Sequence, residues 1–333
     1  MHRTKTARVA SVVSLAMAIG LCVLANPITA GNVGTLTEEG RIDVGFYPDN
    51  VFFLSDARVA IVDGQGAHTV IWNVPASGAE AVQEPRMGKI LDVSEDLSTL
   101  AVCTHAGDVS IWTADPLVHV FDLCALQHTP VPRAAFSPDG RLLAITDERD
   151  EIELWDLESG ALTTTLIGHD SNVFDLAFSP DGSVLATAGG WSGSTADADS
   201  CVKIWDVTTA DLIVSLSTID LGDNHAIAFA GDGARLISGG IERLVAWDTA
   251  SWERVYDSGS SYPGSYGMAV SPSQELLAIA YWGGSVRVMD LGTMSRLRDL
   301  QAPDTPFDVA FSPDGSRLAA SFADGTIVVW KVP

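Results

Sequence analysis

The sequence predicts an all-β fold, a ring of seven four-stranded blades, on three observations. First, a Trp or Met followed by a polar residue closes a short apolar strand seven times. The pairs are Trp72-Asn73, Trp112-Thr113, Trp155-Asp156, Trp205-Asp206, Trp247-Asp248, Met289-Asp290 and Trp330-Lys331. The steps between them, 40, 43, 50, 42, 42 and 41 residues, are what four short strands and their turns require. Second, an apolar anchor stands 18 to 27 residues before each marker: Phe52, Val93, Phe136, Phe178, Phe229, Val270 and Phe311. Third, three of these anchors open the string Phe-Ser-Pro-Asp-Gly, at 136–140, 178–182 and 311–315.

The elements of a repeat can be assigned in order. Pro presets φ at the second position of a type I turn, and Gly accepts the positive φ of the bulge after it. Ser-Pro-Asp-Gly therefore joins an inner strand to a second strand by a hairpin. Apolar runs such as Leu142 to Ile145 and Leu318 to Ala320 supply the second strands. A polar turn and an alternating segment such as Glu151 to Trp155 give the third, and a weaker run such as Ala161 to Leu166 gives the fourth. Four antiparallel strands repeated seven times make a β-propeller.

These repeats resemble those of WD40-repeat proteins, and the resemblance covers nearly all of the chain beyond its leader. It implies a blade stitched by a His, a Ser or Thr, an Asp and the Trp, hydrogen-bonded in series. His169, Thr187, Asp199 and Trp205 stand at the matching places of one blade. The blade ending at Trp330 keeps Asp324 without the His, and Met289 replaces a Trp outright. The resemblance also implies that ligands meet the rim around the mouth of the central channel.

Trp330 leaves the last blade one strand short. The segment Val33 to Glu38 precedes the first anchor by the interval of an outer strand. It is expected to pair with Thr326 to Trp330, closing the ring and removing its open edges.

Ahead of the ring, His2 to Arg8 is basic and Val9 to Ala25 almost wholly apolar. Val23-Leu24-Ala25 and Ile28-Thr29-Ala30 both fit a small-residue cleavage site. Residues 1–30 read as a secretory signal peptide and 31–333 as the propeller, which places the mature chain outside the cytoplasm, without membrane insertion after cleavage. An uncleaved anchor is the alternative, since the apolar run approaches the roughly 17 residues that a bilayer span needs. Cys22 does not suggest lipid attachment, because Leu21 sits where such signals want a small residue.

Three of the 19 basic residues lie in the leader, leaving 16 against 43 acidic ones, a net charge of −27. A surface of that sign repels phosphate backbones, which argues against nucleic acid, and it disfavours anionic membranes. Cys103, Cys124 and Cys201 have no C-x-x-C spacing, which argues against zinc. Cys103 and Cys124 fall one strand apart, about 9–10 Å, wider than a disulfide spans. Three buried thiols are the expectation, with a Cys103–Cys124 bond as the alternative. Asp197 and Asp199 supply too few carboxylates for a calcium shell.

The sequence contains no G-x-S-x-G, H-E-x-x-H, G-x-x-x-x-G-K-S/T or helix-opening G-x-G-x-x-G motif. The expectation is a protein without catalytic residues, metal or cofactor. What stands out is the rim. The loop from Gly189 to Ser200 is longer than its counterparts and carries Trp191, and loops that grow on a rigid scaffold tend to carry function. His105, Glu148 and Trp282 occupy equivalent turns seven residues before their markers, and the linker from Ser258 to Gly267 adds Tyr262 and Tyr266. Asp49, Arg133, Asp175 and Asp308 stand three residues before their anchors. The acids among them either make a negative mouth or cap local turns, and capping needs no partner.

The leading expectation is a monomeric, non-catalytic scaffold that binds a protein partner on the rim. A lyase or hydrolase with a channel-mouth site is the alternative from another class. Carbohydrate recognition through Trp191, Trp282 and Tyr266 is a third. An enzyme predicts converging polar groups with perturbed titration, a scaffold a broad rim patch, and a glycan binder coplanar exposed rings.

Overall fold

The computed structural model describes residues 27–331, apart from 65–68, 75–79, 83–86, 105–106, 125–131, 148–149, 171, 191–200, 219–223, 242 and 260–263. Seven four-stranded antiparallel sheets make a seven-bladed propeller, with no α-helix among the described residues. The fourth blade shows the pattern. Val173–Phe178 lines the centre, Val184–Gly189 and Cys201–Asp206 follow, and Leu212–Ser217 forms the outer edge. Each marker lies on a third strand and each anchor on an inner strand. The weak run picked out in the third blade is its outer strand, Ala161–Leu166.

The Ser-Pro-Asp-Gly turns behave as their chemistry dictates. Gly140 sits at φ +68° and donates its N–H to the Ser137 carbonyl at 2.8 Å. The Ser137 hydroxyl donates to Asp139 at 2.6 Å and accepts the Leu142 amide at 2.9 Å. Leu97 and Gln274 hold the matching turn of the second and sixth blades at φ 58° and 57°. A side chain there costs about 1–2 kcal/mol relative to glycine, so these hairpins keep the geometry after losing the motif.

Second strands are buried on both faces, as in Leu276–Tyr281, because a neighbouring blade covers each side. This explains their continuous apolar runs. Each junction between neighbouring blades holds one apolar cluster. At the junction of the seventh and first blades, Ala319, Ile327 and Val329 pack with Val51, Phe53 and Ile61.

The seventh blade, Pro306–Phe311, Arg317–Phe322 and Thr326–Lys331, takes its outer strand from the other end of the chain. That strand is Thr37–Asp43, with Thr37 opposite Lys331 and Asp43 opposite Thr326. It starts later than the expected Val33 to Glu38. Val33–Thr35 instead forms a 3₁₀ turn, and Val33 and Leu36 are buried against the sixth and seventh blades. The apolar residues are used for packing, and the polar run Thr-Glu-Glu-Gly-Arg-Ile-Asp forms the exposed edge. The register slips between Glu38 and Gly40, and Glu39 turns inward there with 3% of its side chain exposed. Its carboxylate accepts hydrogen bonds from Arg317 Nε at 2.7 Å and Lys331 Nζ at 2.8 Å.

Cys103 is buried and its thiol is free. Its register partner Val109 pairs in turn with Cys124, which places one strand between the two cysteines. No helix among the described residues is long and apolar enough to cross a membrane.

Candidate functional site

All seven inner strands converge on a central channel with a volume of about 1010 Å³. Inner strands of neighbouring blades are adjacent, so residues at the same place in consecutive repeats meet around it. The position four before the anchor is Phe174, His225, Tyr266 and Phe307 in the fourth to seventh blades.

These rings form a continuous arc at the mouth. Phe174 and His225 have centroids 5.0 Å apart, His225 and Tyr266 5.9 Å, and Tyr266 and Phe307 5.4 Å. Tyr47, just before the inner strand of the first blade, extends the arc at 4.9 Å from Phe307. Trp282 leans on Tyr266 at 5.0 Å. Neighbouring rings are tilted by 47° to 63°, close to the edge-to-face packing that aromatic quadrupoles favour. Tyr47 and Trp282 stay 42% and 38% exposed, whereas the rings between them are half-buried. Burial raises the Tyr266 phenol above its ordinary value, so it stays protonated at neutral pH. Gly190 sits where any Cβ would strike the Phe174 ring.

Below the arc, three inner-strand aspartates cross from one blade to the next. Asp92 accepts the Phe136 amide at 2.7 Å, Asp175 the Ile227 amide at 2.8 Å, and Asp308 the Val51 amide at 3.1 Å. Each is half-buried in the channel wall. Burial pushes Asp92 and Asp308 up to about 7 and Asp175 to about 6. Asp175 and Asp308 therefore join blades. Each also accepts an amide of its own strand, Leu176 at 2.9 Å for Asp175 and Val309 for Asp308, so local capping and the blade-to-blade bond coexist. Asp49 presents its backbone carbonyl to the Ser321 hydroxyl at 3.0 Å, and the Arg133 amide donates to Thr146 at 2.9 Å.

In the fourth blade, His169 Nε2 lies 2.7 Å from the Thr187 hydroxyl, which accepts the Trp205 indole N–H at 3.0 Å. All three residues are buried. The second and third blades satisfy the indole locally. Trp112 donates to Ser110 at 2.9 Å, and Trp155 to Glu153 at 2.9 Å.

Trp191, Tyr262, His105, Glu148 and Asp199 lie outside the described residues. Tyr266, expected in a linker, is on the inner strand Ser265–Val270, where it meets Trp282. Sequence reasoning missed Phe174, His225, Phe307 and Tyr47. The first three could have been found by writing the repeats in register, since they share one column with Tyr266. No cluster of three or more potential metal ligands occurs among the described residues. The mouth offers a curved aromatic surface over a wall in which Asp92, Asp175 and Asp308 are already engaged by backbone amides, which suits burial of a ligand more than proton transfer.

The family description "WD domain, G-beta repeat" matches residues 160–206 and 295–331, so the chain carries WD40 repeats in two regions. Periodic tryptophan protein 2 of Arabidopsis thaliana is 27% identical over 237 residues, 68% of this chain and 25% of that protein. The uncharacterized WD repeat-containing protein sll1491 of Synechocystis is 28% identical over 153 residues, 44% of this chain and 41% of that protein. Target of rapamycin complex subunit wat1 of Schizosaccharomyces pombe is 30% identical over 205 residues, 59% of this chain and 61% of that protein. The chain thus spans less than two thirds of the length of each of these relatives.

Proposed function

We propose that this chain of WD40 repeats is an exported, non-catalytic scaffold that holds a protein partner on the channel mouth. The observation that carries the reading is the aromatic arc from Phe174 to Tyr47, with Trp282 and Tyr47 at its exposed points. Large rings held on rigid strands bury much area at little entropic cost, which is how interface anchors work. The name of one relative, a subunit of a complex, fits a role in assembly. The basic-then-apolar leader supports an extracytoplasmic setting.

A second reading, a hydrolase or lyase working in the channel, draws on the raised Asp92, Asp175 and Asp308. Each of these carboxylates already accepts a structural amide, which leaves the scaffold favoured. A glycan platform wants coplanar rings, and the tilt of 47° between Trp282 and Tyr266 does not provide one.

The test is affinity capture from the native extracytoplasmic fraction, then binding of the retained protein, once purified, to wild type and to Trp282→Ala. Loss of binding in the variant supports the mouth as the site. Retained binding in a variant that also lacks Tyr47 and Tyr266 side chains would place the partner elsewhere. Turnover of any ligand, lost in Asp92→Asn, would favour the enzyme.

A further inference from the structure

Two cleavage sites fit the leader, and the fold distinguishes between them. We infer that export processing falls ahead of Pro27, at the Ala25–Asn26 bond, so that residues 27–30 belong to the mature propeller. This rests on the export reading above. The bond itself lies outside the described residues, and the packing of residues 27–33 is what selects it.

Ile28 is 1% exposed and belongs to the apolar cluster between the sixth and seventh blades, with Phe311 and Leu318. Its amide donates to the Gly315 carbonyl at 2.8 Å, joining the segment to the last Ser-Pro-Asp-Gly hairpin. Pro27 packs on the same turn, near the place a Gly315 Cβ would occupy. The chain around the other candidate site is one knitted turn. The Thr29 amide donates to Asn32 Oδ1 at 2.8 Å, the Val33 amide to the Thr29 carbonyl at 3.0 Å, and Asn32 Nδ2 to the Pro27 carbonyl at 2.9 Å.

Cutting after Ala30 would sever all of these links and remove Ile28 from a closed cluster. An emptied core site is not refilled by collapse of its neighbours, and that residual cavity is what makes such losses large. A new charged amino terminus at Gly31 would also be created two residues from buried Val33. Cutting after Ala25 leaves each of these bonds in place. The residue three before the cut is then Val23, smaller than Ile28 and closer to the small-residue pattern that such sites show.

The experiment expresses the full chain with its own leader in an exporting bacterium and determines the first residue of the extracytoplasmic product by N-terminal sequencing and intact mass. A start at Asn26 is expected. A start at Gly31 overturns the inference while leaving export standing. An uncleaved Met1 form overturns the leader reading itself. Independently, chains beginning at Asn26 and at Gly31 are made without the leader and melted side by side. The shorter chain is expected to melt about 5 °C lower, and Ile28→Ala in the longer chain should account for much of that shift. Equal melting temperatures overturn the inference.

Discussion

The Asp92 carboxylate in the second blade accepts the Phe136 amide of the third at 2.7 Å, and burial raises its pKa to about 7. Asp308 does the same between the seventh and first blades, also at about 7. Both are protonated in the fold at pH values where an unfolded aspartate, with a pKa near 4, is already ionised. Between about pH 4 and pH 7 the folded state therefore holds more protons, so stability falls as pH rises through that window. Glu39 acts in the opposite sense. Burial alone would raise its pKa, but the bonds from Arg317 and Lys331 outweigh it and lower the pKa, so its contribution fades as pH drops below the usual glutamate value. The melting temperature should peak near about pH 5 rather than at neutrality. Asn at position 92 keeps an acceptor for the Phe136 amide without the charge. Asp92→Asn should flatten the pH slope and raise melting at pH 8 by about 2 °C. A variant with the parental slope would mean Asp92 does not titrate in that window.

The clasp makes a separate prediction. Glu39 is the buried acid between two cations, and Arg317 has only 19% of its side chain exposed. Glu39→Ala leaves Arg317 without its carboxylate partner. A fully buried pair broken this way costs about 3–5 kcal/mol. Lys331 is 37% exposed and can turn to water, so about 2 kcal/mol is expected here. Glu38→Ala, whose partner Arg41 is exposed, should cost less than about 0.5 kcal/mol. Urea denaturation of both measures the difference, and similar losses would contradict the inward turn of Glu39.

How far the sequence could go is seen in particular residues. The 40-residue steps and the Ser-Pro-Asp-Gly turns were legible because period and positive φ are local properties. The clasp was misplaced by four residues at its start. Its strand, Thr37–Asp43, has little apolar alternation, whereas apolar Val33 and Leu36 drew the assignment and proved to be packing residues. Asp175 and Asp308 were visible as a repeated column, but that a carboxylate also reaches the next blade's amide depends on tertiary geometry. The arc was hidden for a similar reason. Phe174, His225, Tyr266 and Phe307 are 41 to 51 residues apart and become neighbours only when the ring forms.

Thr187 is the hub of the fourth-blade network, and its removal should cost more than removal of His169. Thr187→Val keeps the shape but deprives both the Trp205 indole and His169 Nε2 of their partner. Leaving buried polar atoms unpaired costs about 1–3 kcal/mol each, so about 3 kcal/mol is expected, against about 2 for His169→Ala. His225→Ala should cost less than either, since His225 is a half-buried member of the arc. Chemical denaturation ranks the three, and a His225 loss equal to that of Thr187 would misplace the network.

The last prediction separates anchor from scaffold within the arc. Trp282 contacts Tyr266 on one side and remains 38% exposed, so its loss removes one ring contact and its hydrogen bond with the Tyr266 hydroxyl. Such a contact is worth about 0.5–1.5 kcal/mol, and melting should fall by no more than ~2 °C. Tyr266 sits at the centre, touching His225, Trp282 and Phe307, and Tyr266→Ala should cost about 2 kcal/mol or more in stability. If the mouth binds the partner, Trp282→Ala weakens binding by about 2 kcal/mol or more, since exposed rings beside a rigid platform concentrate interface energy. Tyr266→Phe keeps the ring and loses only the hydroxyl and its bond with Trp282, so it should lose about 1 kcal/mol of stability at most and retain most of the binding. Binding measured by titration calorimetry and melting measured on the same samples give both quantities for each variant. Should Trp282→Ala bind as wild type does while Tyr266→Ala merely unfolds, the arc is architecture and the partner sits on another surface.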